Sequence, residues 1–226
     1  MTVYLLPEEP VFPPVDEAEP DGLVAIGGDL SAERLLQAYS HGIFPWFKEE
    51  EDVYWYSPDP RLVLFPENFK CSRSLERTIK SGQFKVKFDT VFEQVIRKCA
   101  QVERPEQEGT WISDEFIEGY LAIHHHGIAH SVETFYQDKL VGGLYGVSLG
   151  AAFFGESMFF TISNASKVAF YYLIKFCRQN KFQFVDCQVE TNHLMNLGAK
   201  LTPRKEYLNL LELALAYPTK KGTWIN

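Results

Sequence analysis

Three polar side chains that could take part in proton transfer stand within or at the end of apolar runs in the second half of the chain. Glu156 lies inside AAFFGESMFF, and Asp186 and Gln188 lie at the end of FQFVDCQ. An unpaired carboxylate among Phe, Met and Val would be energetically expensive, so we expect a functional site at both carboxylates. Asp186 and Gln188 are two residues apart in a predicted strand, which places their side chains on the same face.

Glycines interrupt the segment that carries these residues. They stand at positions 142, 143, 146, 150 and 155. Because glycine weakens the interior of a strand, its repeated use predicts bulges, or places where a ligand lies close to the backbone.

Cysteine and histidine usage favours neither a disulfide framework nor a metal site. The cysteines are scattered without a close pair, at positions 71, 99, 177 and 187, which predicts free buried thiols. His124, His125 and His126 are consecutive, so on a helix they fan out around the axis instead of forming an i, i+4 pair. No metal and no cofactor are therefore expected.

Composition is that of an ordinary globular protein of 226 residues with 46% hydrophobic residues. The N-terminus is rich in acids and prolines where a signal peptide would have basic and apolar residues, and no apolar run is long enough to cross a bilayer. A cytoplasmic protein without a membrane partner is expected. The net charge of −8 speaks against a surface that binds nucleic acid all over.

A cluster of basic residues nevertheless stands out locally, and we call it the basic island. Between Lys70 and Phe88 a single acid, Glu76, faces six cations: Lys70, Arg73, Arg77, Lys80, Lys85 and Lys87. Taken alone, the island predicts a solvated face and a phosphate-contacting patch equally well. The aromatic residues between Phe44 and Pro60 also allow two interpretations, and we favour a role in covering the hydrophobic core over a role as a stacking platform for bases.

The hydrophobic pattern predicts alternating helices and strands. Residues 1–30 form an extended arm, and a short helix follows that Asp29 or Ser31 caps and Gly42 ends. Further helices are expected over Ser72–Ser81, Thr90–Ala100, Asp114–His126, Asn164–Gln179, His193–Leu197 and Arg204–Ala216. Strands are expected in RLVLFP, FKVKF, SVETFY, KLVGGLYGVSL, AAFFGESMFF and FQFVDCQ.

This order predicts a mixed α/β (α+β) protein with a boundary near residue 60. Residues 1–60 would form a small N-terminal domain. Residues 61–226 would form an acetyltransferase-like (GNAT-like) domain, in which helices flank a mostly antiparallel sheet whose two central strands separate. Many proteins of that fold bind coenzyme A on a glycine-rich loop before the central helix. Here Thr161–Lys167 contains no glycine, so acetyl-CoA is not expected.

Longer motifs give the chain a family resemblance between about Leu23 and Leu211. They are GLVAIGGDLSAERLLQAYSHGIFPWF, WYSPDPR, SRSL, GTWIS, YGVSLG, FFGESMF, NASKVA and DCQV. With these blocks the chain resembles the leucyl/phenylalanyl-tRNA–protein transferases. The resemblance implies a bacterial enzyme that uses no cofactor. It would move Leu or Phe, with Met as a further donor, from aminoacyl-tRNA to the N-terminal Arg or Lys of proteins, marking them for N-end-rule degradation.

The resemblance also implies roles for the polar residues. The α-amine of the acceptor attacks the ester that joins the aminoacyl group to the 3′ adenosine. Asp186 would polarise Gln188, and the pair would draw the proton from the amine. Glu156 would hold an amino group nearby.

Binding residues follow from the same resemblance. An apolar pocket for the donor side chain would be lined by Leu144, Phe153, Met158, Leu173 and Val185, with Ser157 beside it. Leu144 and Leu173 stand where family members often carry Met and Phe. Aromatic residues near the adenosine and the substrate backbone would be Tyr39, Trp46, Trp111 and Tyr120. The phosphates of the tRNA acceptor stem would lie on the basic island at Arg73, Arg77 and Lys80.

Two other functions remain open at this stage. A coenzyme A-dependent acyltransferase would share the fold, but it would need the glycine-rich cradle that Thr161–Lys167 lacks. A non-catalytic RNA-binding module could use the basic island, but it would leave Glu156 and Asp186 without a purpose.

Overall fold

The computed structural model describes residues 3–49, 52–102 and 112–224, and every element below lies in these ranges. The N-terminal part contains a four-stranded sheet of order β1-β2-β4-β3. Its strands are β1 (Tyr4–Leu5), β2 (Leu23–Ile26), β3 (Phe44–Glu49) and β4 (Asp52–Tyr56), and helix α1 (Ala32–Ser40) lies between β2 and β3. β1 runs parallel to β2, whereas β2 and β3 are antiparallel to β4.

One expectation for this part is corrected: residues 1–30 are more than an extended arm, because they supply β1 and β2. The aromatic segment from Phe44 forms the antiparallel pair β3 and β4, which was not predicted. Pro45 disguises β3 in the sequence, and it is tolerated because β3 is an edge strand. The helix cap was one of the two expected residues: the Ser31 hydroxyl accepts a bond from the Arg34 amide.

The remaining strands form one seven-stranded sheet of order β11-β5-β10-β9-β8-β7-β6. They are β5 (Arg61–Leu64), β6 (Lys85–Phe88), β7 (Ala129–Tyr136), β8 (Lys139–Leu149), β9 (Ala152–Phe160), β10 (Phe184–Asp186) and β11 (Lys200–Thr202). The helices are α2 (Arg73–Lys80), α3 (Phe92–Ala100), α4 (Asp114–His125), α5 (Ala165–Gln179), α6 (Asn192–Asn196) and α7 (Arg204–Leu215). The mixed α/β class is confirmed, and β11 was not predicted.

The centre of this sheet has the separating strands that the sequence predicts. β7, β8 and β9 form an antiparallel meander, and β10 lies parallel to β9. That parallel pairing covers three residues and ends at Asp186 opposite Phe154, whereas β9 continues to Phe160. Glu156 therefore lies just beyond the point where the two strands part.

The predicted irregularity at the glycines is found between β8 and β9. The register shifts where Gly146 faces Gly155, which is a bulge next to Glu156. A Cβ on Gly146 would lie 2.1 Å from the Phe154 carbonyl oxygen, so only glycine fits this position. The close approach at Gly146 comes from the protein's own backbone.

Two buried clusters of apolar side chains cover the large sheet. One cluster joins the sheet to α1, α4, α7 and the N-terminal strands, and it contains Phe44, Trp55 and Tyr56. These three aromatics belong to the core, as the core interpretation of their segment predicts. The other cluster packs against α5 and includes Trp224 near the C-terminus. The proposed boundary near residue 60 stays a prediction.

Candidate active site

Asp186 is fully buried at the end of β10, and the protein surrounds it with hydrogen-bond donors. Arg61, the first residue of β5, reaches it with two bonds: Nε to Oδ1 at 2.9 Å and Nη2 to Oδ2 at 2.8 Å. The Tyr207 hydroxyl of α7 donates to Oδ2 at 2.8 Å, and the Gln188 backbone amide donates to Oδ1 at 2.9 Å. Asp186 is thus held by donors from three separate parts of the chain.

Arg61 is as deeply buried as its partner. Its Nη1 donates to the Gly42 carbonyl at 3.0 Å, and the guanidinium lies over the rings of Phe44 and Tyr207 at 4.6 and 4.7 Å from their centroids. Burial by itself would lower the pKa of Arg61, but the charge and hydrogen bonds of Asp186, together with Tyr207 and Glu156, outweigh burial and raise that pKa. Such a bidentate, desolvated pair fixes geometry strongly, because either ion alone would be left uncompensated.

Glu156 occupies a different setting, partly exposed beside the bulge in β9. Its Oε1 accepts bonds from the Tyr39 hydroxyl at 2.7 Å and from Gln188 Nε2 at 2.8 Å. Its Oε2 accepts one from the Tyr120 hydroxyl at 2.8 Å. Burial raises the pKa of Glu156 to about 7, although the two tyrosine hydrogen bonds act in the opposite direction.

Gln188 connects the two carboxylates, but not in the way that strand periodicity predicts. β10 ends at Asp186, and Gln188 has a φ of +62°, in the left-handed region. Its side chain is therefore aimed by a tight turn that the bond from its amide to Asp186 stabilises. The three predicted catalytic residues are brought together, with Gln188 joined to Asp186 through its backbone and to Glu156 through its side chain.

The five predicted pocket residues also come together, in the cluster beside α5. Four of them are fully buried and Met158 is partly exposed; the buried ones are Leu144, Phe153, Leu173 and Val185. Phe153 and Val185 immediately precede Phe154 and Asp186, so they project from the opposite face of the sheet. Ser157 is partly exposed next to Glu156.

The described aromatic residues expected near the adenosine differ from one another in exposure. The rings of Tyr39 and Tyr120 are fully buried, so in this structure they do not offer a face to a base, and their hydroxyls hold Glu156. Trp46 is partly exposed and packs edge-on against Tyr56 at 5.2 Å. Trp111 lies outside the described residues.

The basic island is centred on α2, where Arg73, Arg77 and Lys80 are exposed. Within the described ranges none of these three side chains forms an ion pair with a carboxylate. Asn164, the residue before α5, donates to the Thr78 hydroxyl of α2 at 3.2 Å. This bond places the island beside the beginning of the central helix.

Sequence reasoning missed Arg61 and Tyr207, the side chains that hold Asp186. An arginine at the start of the apolar run RLVLF was the available signal, since a buried guanidinium requires an anionic partner. Nothing in the sequence identifies Asp186 as that partner, 125 residues away.

The described residues contain no group of three or more His, Cys, Asp or Glu side chains that could hold a metal ion. No helix in the described part of the chain has the length and apolar character that a bilayer crossing requires.

Comparison with known proteins agrees with the motifs. The sequence model described as "Leucyl/phenylalanyl-tRNA protein transferase" matches residues 63–212, and the one for the N-terminal domain of the same family matches residues 28–59. A leucyl/phenylalanyl-tRNA–protein transferase of Anaeromyxobacter sp. (strain K) is 53% identical over 224 residues, covering 99% of this chain and 96% of the relative. One from Myxococcus xanthus (strain DK1622) is 50% identical over 226 residues, covering 99% and 97%.

Solved structures give fainter likenesses. L-PGS from Bacillus licheniformis has a TM-score of 0.41 at 11% identity, covering 60% of this chain and 49% of that chain. An aminoglycoside acetyltransferase from an uncultured soil sample has a TM-score of 0.39 at 15% identity, covering 51% and 85%. These likenesses are too distant to bear on function. The two matching family models and the relatives at 50–53% identity over nearly the whole chain are decisive: the chain belongs to the leucyl/phenylalanyl-tRNA–protein transferase family.

Proposed function

We propose that this aminoacyltransferase moves Leu or Phe, with Met as a further donor, from aminoacyl-tRNA to the N-terminal Arg or Lys of proteins. Family membership makes the protein an aminoacyltransferase with aminoacyl-tRNA and protein as substrates. The observation that supports a site for this chemistry is the cluster of Glu156, Gln188 and Asp186 at the point where β9 and β10 separate.

The reaction is the aminolysis of an ester. The acceptor amine must lose a proton, the carbonyl must be held within reach, and the 3′ oxygen of the ribose must be protonated as it leaves. Glu156, Asp186 and Gln188 supply carboxylate and amide groups in one hydrogen-bonded cluster, which suits proton removal and the binding of an amino group. Glu156 has a pKa of about 7, close to the working pH of such a base.

The donor side chain would lie among Leu144, Phe153, Met158, Leu173 and Val185. Their shared cluster supports this proposal, because it lies on the other face of the same two strands that carry Glu156 and Asp186. Discrimination between apolar side chains is worth only about 1–3 kcal/mol per methylene. Several apolar donors are therefore expected to be used.

The tRNA would be bound locally and not by the protein as a whole. The exposed cations of α2 would neutralise phosphates of the acceptor stem, whereas the net charge of −8 disfavours binding of tRNA over the whole surface. Trp46 is partly exposed and remains the described candidate for a base contact, and Tyr39 and Tyr120 would act through Glu156. Ser157 and Trp111 remain part of the proposed substrate site.

The acceptor would begin with a basic residue, and the product would enter N-end-rule degradation in the cytoplasm. Recognition of Arg or Lys needs acids near the reacting amine. Glu156 is the described candidate, and the acidic run from Glu49 to Asp52 extends into residues that the structure does not describe.

The test is direct transfer of a labelled amino acid. The wild-type protein is incubated with radiolabelled Leu-tRNA and with three peptides that differ in one residue, beginning with Lys, Arg or Ala. Label should enter the Lys and Arg peptides and leave the Ala peptide unlabelled. Equal labelling of all three would contradict the acceptor rule, and absence of labelling in each would contradict the proposed function.

A further inference from the structure

The two carboxylates of the site differ in whether a substrate can reach them. We infer that Glu156 takes up the proton of the attacking amine, and that Asp186 is a positioning residue that Arg61 and Tyr207 hold in place. This inference rests on the proposed function, and it assigns proton uptake to Glu156, whereas the family resemblance assigns it to the pair of Asp186 and Gln188.

Asp186 has no acceptor position left for a substrate. A carboxylate offers about four lone-pair directions. Arg61 Nε and the Gln188 amide occupy Oδ1, and Arg61 Nη2 and the Tyr207 hydroxyl occupy Oδ2. The side chain is also fully buried. An amine could reach Asp186 only by displacing one of these donors and leaving a buried polar group unpaired, which is costly.

Glu156 keeps an acceptor position open. Its Oε1 accepts bonds from Tyr39 and Gln188, whereas its Oε2 accepts a bond from Tyr120 alone among the described residues. The residue is partly exposed and lies past the last paired residue of β9 and β10. One lone pair of Oε2 therefore remains for an ammonium group that enters between the strands.

Among the described residues in this region, Glu156 is the group that changes charge near neutral pH. The described titratable or charged side chains that face it are Tyr39 of α1, Tyr120 of α4, Arg61 of β5 and Asp186 of β10. Burial raises the pKa of both tyrosines well above the ordinary value, so they stay neutral donors. Arg61 and Asp186 form a closed ion pair. Burial brings the pKa of Glu156 itself to about 7.

The proton steps balance without any further reagent. The acceptor ammonium gives one proton to Glu156, and the neutral nitrogen then forms a bond to the ester carbonyl carbon. When the tetrahedral intermediate collapses, the bond from carbon to the ribose 3′ oxygen breaks. The nitrogen's second proton passes to that oxygen. Glu156 afterwards releases its proton to solvent, and the products are an amide and the free 3′ hydroxyl of the tRNA.

Asp186 and its partners would act through Gln188. The bond from the Gln188 amide to Asp186 fixes the turn in which Gln188 has positive φ, and that turn directs Nε2 to Glu156. Loosening Asp186 would therefore misplace Glu156 without changing which group takes the proton.

The pH dependence of two variants separates these roles. Transfer of Leu from Leu-tRNA to a peptide beginning with Lys is measured between pH 6.5 and 8.5 for the wild type, Glu156→Gln and Asp186→Asn. Spontaneous ester hydrolysis is subtracted at each pH. The α-amine of the peptide loses its own proton near pH 8, so above that pH it no longer needs a base. The deficit in the transfer rate of Glu156→Gln relative to wild type should therefore shrink about tenfold from pH 6.5 to 8.5. The deficit of Asp186→Asn should not shrink as pH rises, since Glu156 still takes up the proton and loss of the Asp186 charge lowers the pKa of Glu156.

Glu133→Gln is the matched control, because Glu133 is a buried carboxylate whose pKa burial also raises to about 7, and it does not contact Glu156. Its activity relative to wild type should be independent of pH. If Asp186→Asn does not fold, Tyr207→Phe replaces it, since that variant removes one bond to Asp186 and keeps the ring under Arg61.

Two results would overturn the inference: a deficit of Glu156→Gln that does not change with pH, or a shrinking deficit in Asp186→Asn or Tyr207→Phe. Absence of transfer by the wild-type protein would instead contradict the proposed function.

Discussion

Two regions of this protein each hold a pair of carboxylates, and the glutamates of the two pairs differ in exposure. Where β9 and β10 separate, Arg61 and Tyr207 donate hydrogen bonds to the buried Asp186, whereas Glu156 is partly exposed. At the edge of the same sheet, Glu133 and its neighbour Asp89 lie near β6 and β7. Both Glu133 and Glu156 have pKa values that burial raises to about 7.

In the region around Glu133 and Asp89, the protein's own donors surround the carboxylates. Glu133 is fully buried and accepts bonds from the Ser131 hydroxyl at 2.5 Å and from the Thr90 hydroxyl at 3.1 Å. Asp89 accepts bonds from His130 and from the Trp224 backbone amide at 2.8 and 2.7 Å. Trp224 stacks on His130 and closes the region from the C-terminal side. A raised pKa thus does not mark a site by itself; the two glutamates differ in exposure, since Glu133 is fully buried and Glu156 is partly exposed.

The largest effect on transfer is expected from Glu156→Gln. The amide keeps an oxygen for the tyrosine hydroxyls but cannot take up a proton, so transfer at pH 7 should fall by about 10²–10⁴-fold. Single-turnover kinetics with Leu-tRNA and a Lys peptide measure the loss. A variant with wild-type rates would show that the open carboxylate is no more functional than the closed one.

Asp186→Asn should cost both transfer and stability while nearly sparing tRNA binding. Because the variant lacks the charge of Asp186, Arg61 is left buried without its counterion. The free energy of unfolding should fall by about 3–5 kcal/mol. The loss of activity should appear in kcat more than in KM. Urea unfolding and steady-state kinetics give the two quantities. Unchanged stability together with unchanged turnover would contradict the positioning role of Asp186.

A smaller effect is expected from neutralising the basic island. Arg73→Ala combined with Arg77→Ala should weaken the use of aminoacyl-tRNA but spare a minimal aminoacyl-adenosine donor, which ends before the acceptor-stem phosphates. Each lost phosphate contact lowers the slope of log affinity against log salt by about 0.7–0.9. The control, Lys205→Ala with Lys221→Ala, removes two exposed charges elsewhere. An equal loss for both donors, or an unchanged slope, would identify the island as a solvated face.

The smallest effect on transfer is expected from Glu133→Gln, which should change stability instead. The pKa of Glu133 is about 7 when folded, against an ordinary value of 4.5, so the native state binds more protons between these values. Stability of the wild type therefore falls as pH rises from 4.5 to 7. The variant should lose part of this dependence, as thermal unfolding at several pH values would show. A strong loss of transfer would refute the contrast between the two regions.

Local patterns in the sequence were enough to predict most of the elements. The apolar periodicity and the cap Ser31 located helices, and the glycines at 146 and 155 marked the bulge. β3 was hidden because Pro45 opposes a strand in the absence of its neighbours.

The site was only partly predictable, because it depends on contacts between distant parts of the chain. The family resemblance supplied Glu156, Asp186 and Gln188. Arg61 could not be paired with Asp186 before β5 and β10 were known to be neighbours. The burial of Tyr39 and Tyr120 likewise follows from the packing of α1 against α4, which no local pattern reveals.

Carbon-13 NMR of side-chain carboxyl groups can show which of the two glutamates faces the acceptor. The chain is labelled at glutamate, Glu156→Gln and Glu133→Gln assign the two signals, and each is titrated with and without a peptide that begins with Lys. Both carboxyls should titrate near pH 7 in the free protein. Bound peptide should lower the midpoint of Glu156, because its ammonium favours the charged form, and leave Glu133 unchanged. A midpoint of Glu156 that the peptide does not move, or equal shifts in both residues, would contradict the assignment of Glu156 as the carboxylate that receives the amine proton.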